Sequence, residues 1–263
     1  MLVRAASALI GVLALVGVWY FFSVTGLLVA CAIVTGLSCI EFSRMVEQRS
    51  RLVQSLFVVV SFAFYLTFSF QSQSFLVFLS FFVLLVTYFM LFTKDTIERR
   101  VNGLASWTVG VLYCSIFTGV ISLGLLKFGS PYFLAVLLVS FVTDTLAYLG
   151  GRAFGRHPLA PEISPKKTLE GALVGLVGGS LVAGLYMKGL PHSSPLWLVG
   201  IVALAGSLFS QVGDLFESMI KRHSGVKDSG NLMPGHGGLL DRIDGVLFAA
   251  PVIYIWMDFY LNS

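Results

Sequence analysis

Residues 213–245 read GDLFESMIKRHSGVKDSGNLMPGHGGLLDRIDG, with a long apolar run on either side. This stretch carries five acids (Asp214, Glu217, Asp228, Asp241, Asp244), four lysines or arginines (Lys221, Arg222, Lys227, Arg242) and two histidines (His223, His236). Ionisable side chains are costly in hydrocarbon, so this much charge between two apolar runs marks a functional loop at a membrane surface. The flanking runs set the fold class. A chain in lipid must satisfy its own backbone hydrogen bonds, and helices are the open-ended structure that does so. An all-α, polytopic integral membrane protein follows.

The totals agree. Of 263 residues, 57% are apolar and 11% charged, and the mean hydropathy is +0.90. A soluble domain carries about 25% charge. A spanning helix takes roughly 20 apolar residues. Apolar segments fall at 2–22, 24–40, 52–70, 75–92, 104–126, 131–149, 171–187, 196–213 and 246–261. About nine transmembrane helices are therefore expected. Spans 1–5 form an N-terminal region, 1–130, and spans 6–9 form a C-terminal catalytic region, 131–263, with polar loops at 150–170 and 214–244. The first two segments nearly touch and read as one helical hairpin, and the N-terminal one reads as an uncleaved signal-anchor. Cys31, Cys39 and Cys114 lie within apolar runs without zinc-type spacing, and read as buried free thiols. Gly171, Gly175 and Gly179 recur every four residues, the pattern of a close helix–helix contact.

Lysine and arginine accumulate on the cytoplasmic side of a membrane protein. With nine spans, fifteen of the 17 fall on the side of the N-terminus, and only Lys127 and Lys188 on the other. The loops 150–170 and 214–244 are therefore expected to face the cytoplasm together, from the cytoplasmic (inner) membrane.

Asp144 sits within the sixth segment, in SFVTDTLAYLGGR, where a carboxylate needs a partner or water. Glycines and prolines after it argue against regular helix over 150–165. Lys166 and Lys167 then precede Thr168, an expected N-cap. Two lysines at the positive end of a helix suit a phosphate, although the same charge also serves lipid headgroups. Asp214, Glu217, Ser218 and Lys221 are spaced to share one helix face. Gly225, Gly230, Pro234, Gly235, Gly237 and Gly238 make a turning loop whose N–H groups can approach a phosphate closely. Asp241 and Asp244 open the last segment on one face, where helix capping would explain them. Capping does not explain Asp214 on the preceding helix. Folding the loop back brings three carboxylates together, a donor set for a hard cation and above all Mg²⁺, completed by water and substrate phosphate. That combination points to phosphoryl or nucleotidyl transfer.

The motifs carry a resemblance. Ser218-Met219-Ile220-Lys221-Arg222, Lys227-Asp228, Pro234-Gly235-His236-Gly237-Gly238 and Asp241-Arg242-Ile243-Asp244, in this order and spacing, resemble the signature of the phosphatidate cytidylyltransferases, the CDP-diacylglycerol synthases. Met233 departs from it conservatively, since the family more often has Leu, Ile or Phe there. Upstream, Asp144, Ala147-Tyr148, Gly151-Arg152, Phe154-Gly155-Arg156, Ser164-Pro165-Lys166-Lys167-Thr168 and Glu170-Gly171 are similar as well. The resemblance covers spans 6–9, and the first half of the chain matches only in hydropathy.

The resemblance implies transfer of the cytidylyl group of CTP to phosphatidic acid, giving CDP-diacylglycerol and pyrophosphate, in phospholipid biosynthesis. It implies Mg²⁺ as cofactor, with room for a second cation. Carboxylates matching Asp214 and Asp241 hold the divalent ion in the family, Asp244 completes the acidic motif, and Asp144 is a further candidate ligand or an anchor for a lysine. Lys221, Lys227 and Arg242 would neutralise the triphosphate, with Asp228 and His236 beside them; His236 reads equally as a residue that structures its loop. Lys166 and Lys167 would bind either the lipid phosphate or the pyrophosphate, and Arg222, Ser218, Gly237 and Gly238 are the further expected substrate contacts. The lipid phosphate is itself the nucleophile, so the protein must mainly bring two polyanions together and stabilise a leaving pyrophosphate. CTP, phosphatidic acid and membrane lipids are the expected partners, nucleic acid is not, and a homodimer is left open. An ion- or proton-coupled transporter is the contrary reading. It suits acids such as Asp144 and Asp214, but neither repeats nor midplane-broken helices are visible. A CDP-alcohol phosphotransferase would need a spaced Asp motif that is absent.

Overall fold

In the computed structural model, which describes residues 2–46, 51–70, 75–92, 95–191, 194–233 and 237–260, the charged stretch joins two helices, α8 (Leu196–His223) and α9 (Leu240–Tyr260). Before them come α1 (Leu2–Val46), α2 (Arg51–Phe70), α3 (Phe75–Leu91), α4 (Ile97–Gly110), a π-helical turn (Val111–Ile116), α5 (Phe117–Phe128), α6 (Ser130–Phe154), a small hairpin of β1 (Pro158–Ala160) and β2 (Ser164–Thr168), and α7 (Leu169–Lys188). Pro234, Gly235 and His236 lie outside the described residues, as do Arg49 and Lys94.

The fold is all-α and built to span a membrane. Among the described residues, seven helices are long and apolar enough to cross it, and Phe82–Leu91 is a shorter apolar helix. The count differs from nine for identifiable reasons. The first two expected spans run within α1, which leaves helical geometry at Ser23 (φ 54°, ψ −146°). A positive φ is uncommon for a residue with a Cβ, and it falls at the joint expected between 22 and 24. The fourth expected span is the short apolar helix of α3.

The chain forms two compact units. The first comprises Met1–Leu123 with Ser229–Leu240, and the second Gly124–Asp228 with Asp241–Ser263. Nothing in the sequence groups Ser229–Leu240 with the N-terminal helices.

Within the first unit, aromatic side chains interlock. The rings of Phe42 and Phe57 stack at 5.7 Å, and Phe57 meets Trp107 edge-on at 5.4 Å. Gly110 lets them close up, because a Cβ there would lie 2.6 Å from the Phe57 ring. Polar ties cross this interior: Thr35 donates to Thr118 at 3.0 Å, and Tyr65 meets Ser122 at 2.8 Å. Cys31, Cys39 and Cys114 are free and buried, as expected. Near the end of α1, the buried carboxylate of Glu41 accepts the backbone N–H groups of Leu239 (2.9 Å) and Leu240 (3.0 Å) and the hydroxyl of Ser229 (3.3 Å).

In the second unit, α6 and α7 pack against each other at very short range. A Cβ on Gly175 would lie 2.7 Å from the Thr143 carbonyl oxygen, and one on Gly171 would lie 2.6 Å from that of Ala147. The four-residue glycine spacing is thus a helix contact, as expected. Helix α6 also continues through Gly150 and Gly151 to Phe154, which corrects the expectation of irregular chain over 150–165. Those two glycines serve close packing rather than a turn, since a Cβ on Gly150 would meet Val174 at 2.6 Å. Beyond it, the antiparallel pair β1–β2 is a small strand element in a segment expected to be loop. At the opposite end of the unit, Tyr132 donates to the Ala250 carbonyl at 3.1 Å, and Lys127 pairs with Asp258. Helix α8 runs ten residues beyond the expected span. It stops where Gly225 takes φ 70°, and the N–H groups of Gly225 and Val226 return to the carbonyls of Arg222 (3.1 Å) and Lys221 (2.9 Å), a glycine-terminated helix end.

Candidate active site

The second unit contains a cavity of about 480 Å³. Its walls are the end of α6 (Asp144, Tyr148, Arg152), the β hairpin with Lys166 and Lys167, and α8 with Gln211 and Asp214. Local structure fixes each wall. Thr168 caps α7, its hydroxyl accepting the Gly171 N–H at 3.2 Å as the sequence anticipated. Glu170 then closes the base of the hairpin, accepting the backbone N–H groups of Arg156 (3.0 Å) and His157 (3.2 Å) and meeting the His157 ring at 2.5 Å. Gln211 donates to the Ala172 carbonyl at 3.1 Å, binding α8 to α7. Arg222 donates to the Ile163 carbonyl at 3.1 Å, tying the end of α8 to the hairpin. Two lysines are thereby presented on a braced strand, and Lys167 pairs with Asp214 across the cavity.

Farther along α8 the charge is buried. Glu217 has no exposed surface, and its Oε2 accepts from the Lys221 ammonium at 2.9 Å, one helical turn on. Lys221 also pairs with Asp241 in the first turn of α9. The other Glu217 oxygen, Oε1, has no hydrogen-bond partner among the described residues. Leaving such an atom unsatisfied costs about 1–3 kcal/mol. Asp244 is buried one turn after Asp241 and accepts the Gly245 N–H at 2.8 Å. It lies within electrostatic reach of Asp214, Lys167 and Glu217, and Asp144 within reach of Asp214, Asp244, Lys167 and Arg242. Gly213 makes this closeness possible, because a Cβ there would overlap the Asp244 carbonyl oxygen.

The expected residues are therefore distributed. Asp144, Lys166, Lys167 and Asp214 line the cavity, Lys221 and Asp241 form the buried cluster, and Asp244 is in charge contact with both sets. Ser218 is buried on α8. Lys227 and Asp228 are exposed beyond the end of α8, and Arg242 is exposed on α9. Gly237 and Gly238 belong to the first unit; a Cβ on Gly238 would lie 2.6 Å from a Glu41 carboxylate oxygen. By sequence, Glu217 stands out only as a member of a helix face. Its place four residues before Lys221 is the pairing signal that could have raised it. Nothing local in the sequence points to Glu41.

The donor chemistry fits a hard cation. The acids offer oxygen, and one buried carboxylate oxygen, Glu217 Oε1, has no hydrogen-bond donor among the described residues. Among the described residues, no three His, Cys, Asp or Glu side chains form a group able to hold a metal by themselves. Mg²⁺ ordinarily takes one or two carboxylates and completes its shell with water and substrate phosphate, so the set suits a cation shared with a polyphosphate.

Parts of the chain are similar to known proteins. A stretch of 127 residues is 47% identical to a phosphatidate cytidylyltransferase of Staphylococcus saprophyticus, covering 48% of this chain and 49% of that protein. The proteins of the same name from Staphylococcus haemolyticus and Staphylococcus aureus are each 41% identical over 149 residues, covering 54% of this chain and 57% of theirs. The matched part thus spans about half the length of these relatives. The match to the family as a whole is longer, running over residues 2–260, and by it the chain belongs to the Cytidylyltransferase family.

Proposed function

We propose that this protein joins CTP to phosphatidic acid, forming CDP-diacylglycerol and releasing pyrophosphate. The observation that carries the reading is the cavity. It places Lys166, Lys167 and Arg152 beside Tyr148, a side chain 66% exposed on the apolar exterior of α6. A phosphate bound there would have its acyl chains at the lipid-facing surface. The names borne by the relatives support the same reaction.

In the proposed reaction, an oxygen of the phosphatidate phosphate attacks the α-phosphorus of CTP. A new P–O bond forms, the bond from that phosphorus to the bridging oxygen breaks, and pyrophosphate departs with the electron pair. The nucleophile is already ionised, so the chain's task is placement and charge stabilisation. Lys166 and Lys167 hold the lipid phosphate. Lys221 and Arg242 offset charge on the triphosphate, with Lys227 and Arg222 at its exposed side. Glu217 and Asp241 keep the Lys221 ammonium in place. Asp214, Asp241 and Asp244 are the residues that would hold Mg²⁺, with Asp144 as a further candidate. When bound, Mg²⁺ neutralises phosphate charge and steadies the leaving group.

The charge asymmetry of the loops supports a site on the cytoplasmic side, where CTP is. One experiment tests reaction and orientation together. Membrane vesicles containing the protein receive phosphatidic acid in the bilayer, with CTP and Mg²⁺ added outside. Inside-out vesicles should make CDP-diacylglycerol and right-side-out vesicles should not. No product in either preparation, or in detergent-solubilised protein, would refute the reaction; product only in right-side-out vesicles would refute the orientation.

A further inference from the structure

The Glu41 carboxylate, 7% exposed on α1, sits inside the glycine-rich segment that leads into α9. Each of its oxygens takes a backbone N–H, Oε1 from Leu239 and Oε2 from Leu240, and Oε2 also takes the Ser229 hydroxyl. Two glycines wrap it. A Cβ on Gly230 would lie 2.6 Å from Oε1, and one on Gly238 would lie 2.6 Å from Oε2. All of these residues belong to the first unit. Leu240 is the first residue of α9, and its N–H is one of the donors that a helix start leaves without an intrahelical partner. A carboxylate there satisfies such donors with charge-assisted bonds and favours the helix dipole. The next residue in the chain is Asp241, and Asp244 follows one turn later.

We infer that Glu41 is a positioning residue: it holds Ser229 and the Leu239 and Leu240 backbone together and fixes the first residue of α9, the helix whose opening turns carry Asp241 and Asp244. It does not touch the reacting atoms. Ordinary span-end charge would be exposed and would face solvent or headgroups. A buried carboxylate with three donors from one segment nearly two hundred residues away is instead a latch. The inference rests on the reaction proposed above for its kinetic part, while its structural part stands apart from it.

The test uses the full chain in detergent or nanodiscs, with two readouts. The first is hydrogen exchange at the Leu239 and Leu240 amides, which needs no activity. The second is kcat and KM for CTP across a Mg²⁺ titration. Glu41→Ala and Glu41→Gln should both speed exchange at these amides, since the Gln amide group turns a donor towards donors. Both should lower kcat at least tenfold with the protein still monodisperse, and should shift the Mg²⁺ dependence to higher concentration. Glu41→Asp, which keeps the charge, should recover part of kcat. Gly230→Ala, which pushes on the carboxylate while leaving it in place, should change kcat in the same direction and less. Unchanged exchange in Glu41→Ala would overturn the latch. Faster exchange with kcat, KM and Mg²⁺ dependence as in wild type would overturn the positioning role. An inactive wild-type protein would count against the proposed reaction, with the exchange result still deciding the latch.

Discussion

Lys221 has two carboxylate partners and little exposed surface, which makes it the residue whose loss leaves the most buried charge uncompensated. Burying ions is expensive, and removing one member of a buried set typically costs about 3–5 kcal/mol. Lys221→Met should therefore lower the unfolding temperature of the protein in detergent and abolish turnover. The double change Lys221→Met with Glu217→Leu removes both charges of the α8 pair and should regain much of the stability without regaining activity. Recovery of activity in the double variant would mean that the cluster serves packing alone. Glu217 was visible in the sequence only through its spacing from Lys221. Its complete burial is a tertiary property, set by how close α9 approaches α8 at Gly213.

Between elements, the decisive feature is the glycine-lined approach of α7 to α6. Gly175→Ala would set a Cβ 2.7 Å from a backbone oxygen of α6, where relief requires the helices to part. Overpacking of this kind costs about 1–3 kcal/mol. Gly200→Ala on α8 is the matched control, with nothing within 4 Å of the added carbon. Thermal unfolding should show the first variant destabilised and the second unchanged or slightly more stable; equal effects would contradict the packing account. This contact was legible because four-residue glycine spacing has one common cause in membrane helices. The span positions were legible because hydrocarbon demands length and apolarity. The continuation of α6 through Gly150 and Gly151 was not, because glycine weakens a helix locally and only the partner helix explains its retention. The extension of α8 to His223 was hidden for the converse reason: six of its last ten residues are polar or charged, so hydropathy ends where the helix does not. Glu41 was hidden entirely, since its donors lie nearly two hundred residues away.

Across the whole molecule, charge and hydrocarbon are sorted. Fifteen of 17 lysines and arginines fall on one side of the expected topology, and those of the cavity and of the buried cluster, Arg152, Lys166, Lys167 and Lys221, are among them. Helices α6 to α9 and the β hairpin between α6 and α7 supply the cavity and the cluster, and the family match runs over residues 2–260. The central claim is that Asp214 on α8 and Asp241 on α9 serve one reaction although each is held by a different lysine. Helix capping and isolated ion pairs would cost stability when removed and leave turnover per folded molecule intact. Residues acting as a unit in catalysis are instead strongly non-additive. The most direct measurement is specific activity with CTP and phosphatidic acid, over a range of Mg²⁺, on monodisperse Asp214→Asn, Asp241→Asn and the double variant. Each single change should lower turnover by orders of magnitude, added Mg²⁺ should restore little of it, and the double variant should be scarcely worse than either. Near-wild-type turnover in Asp241→Asn, or losses that simply multiply in the double variant, would contradict the account.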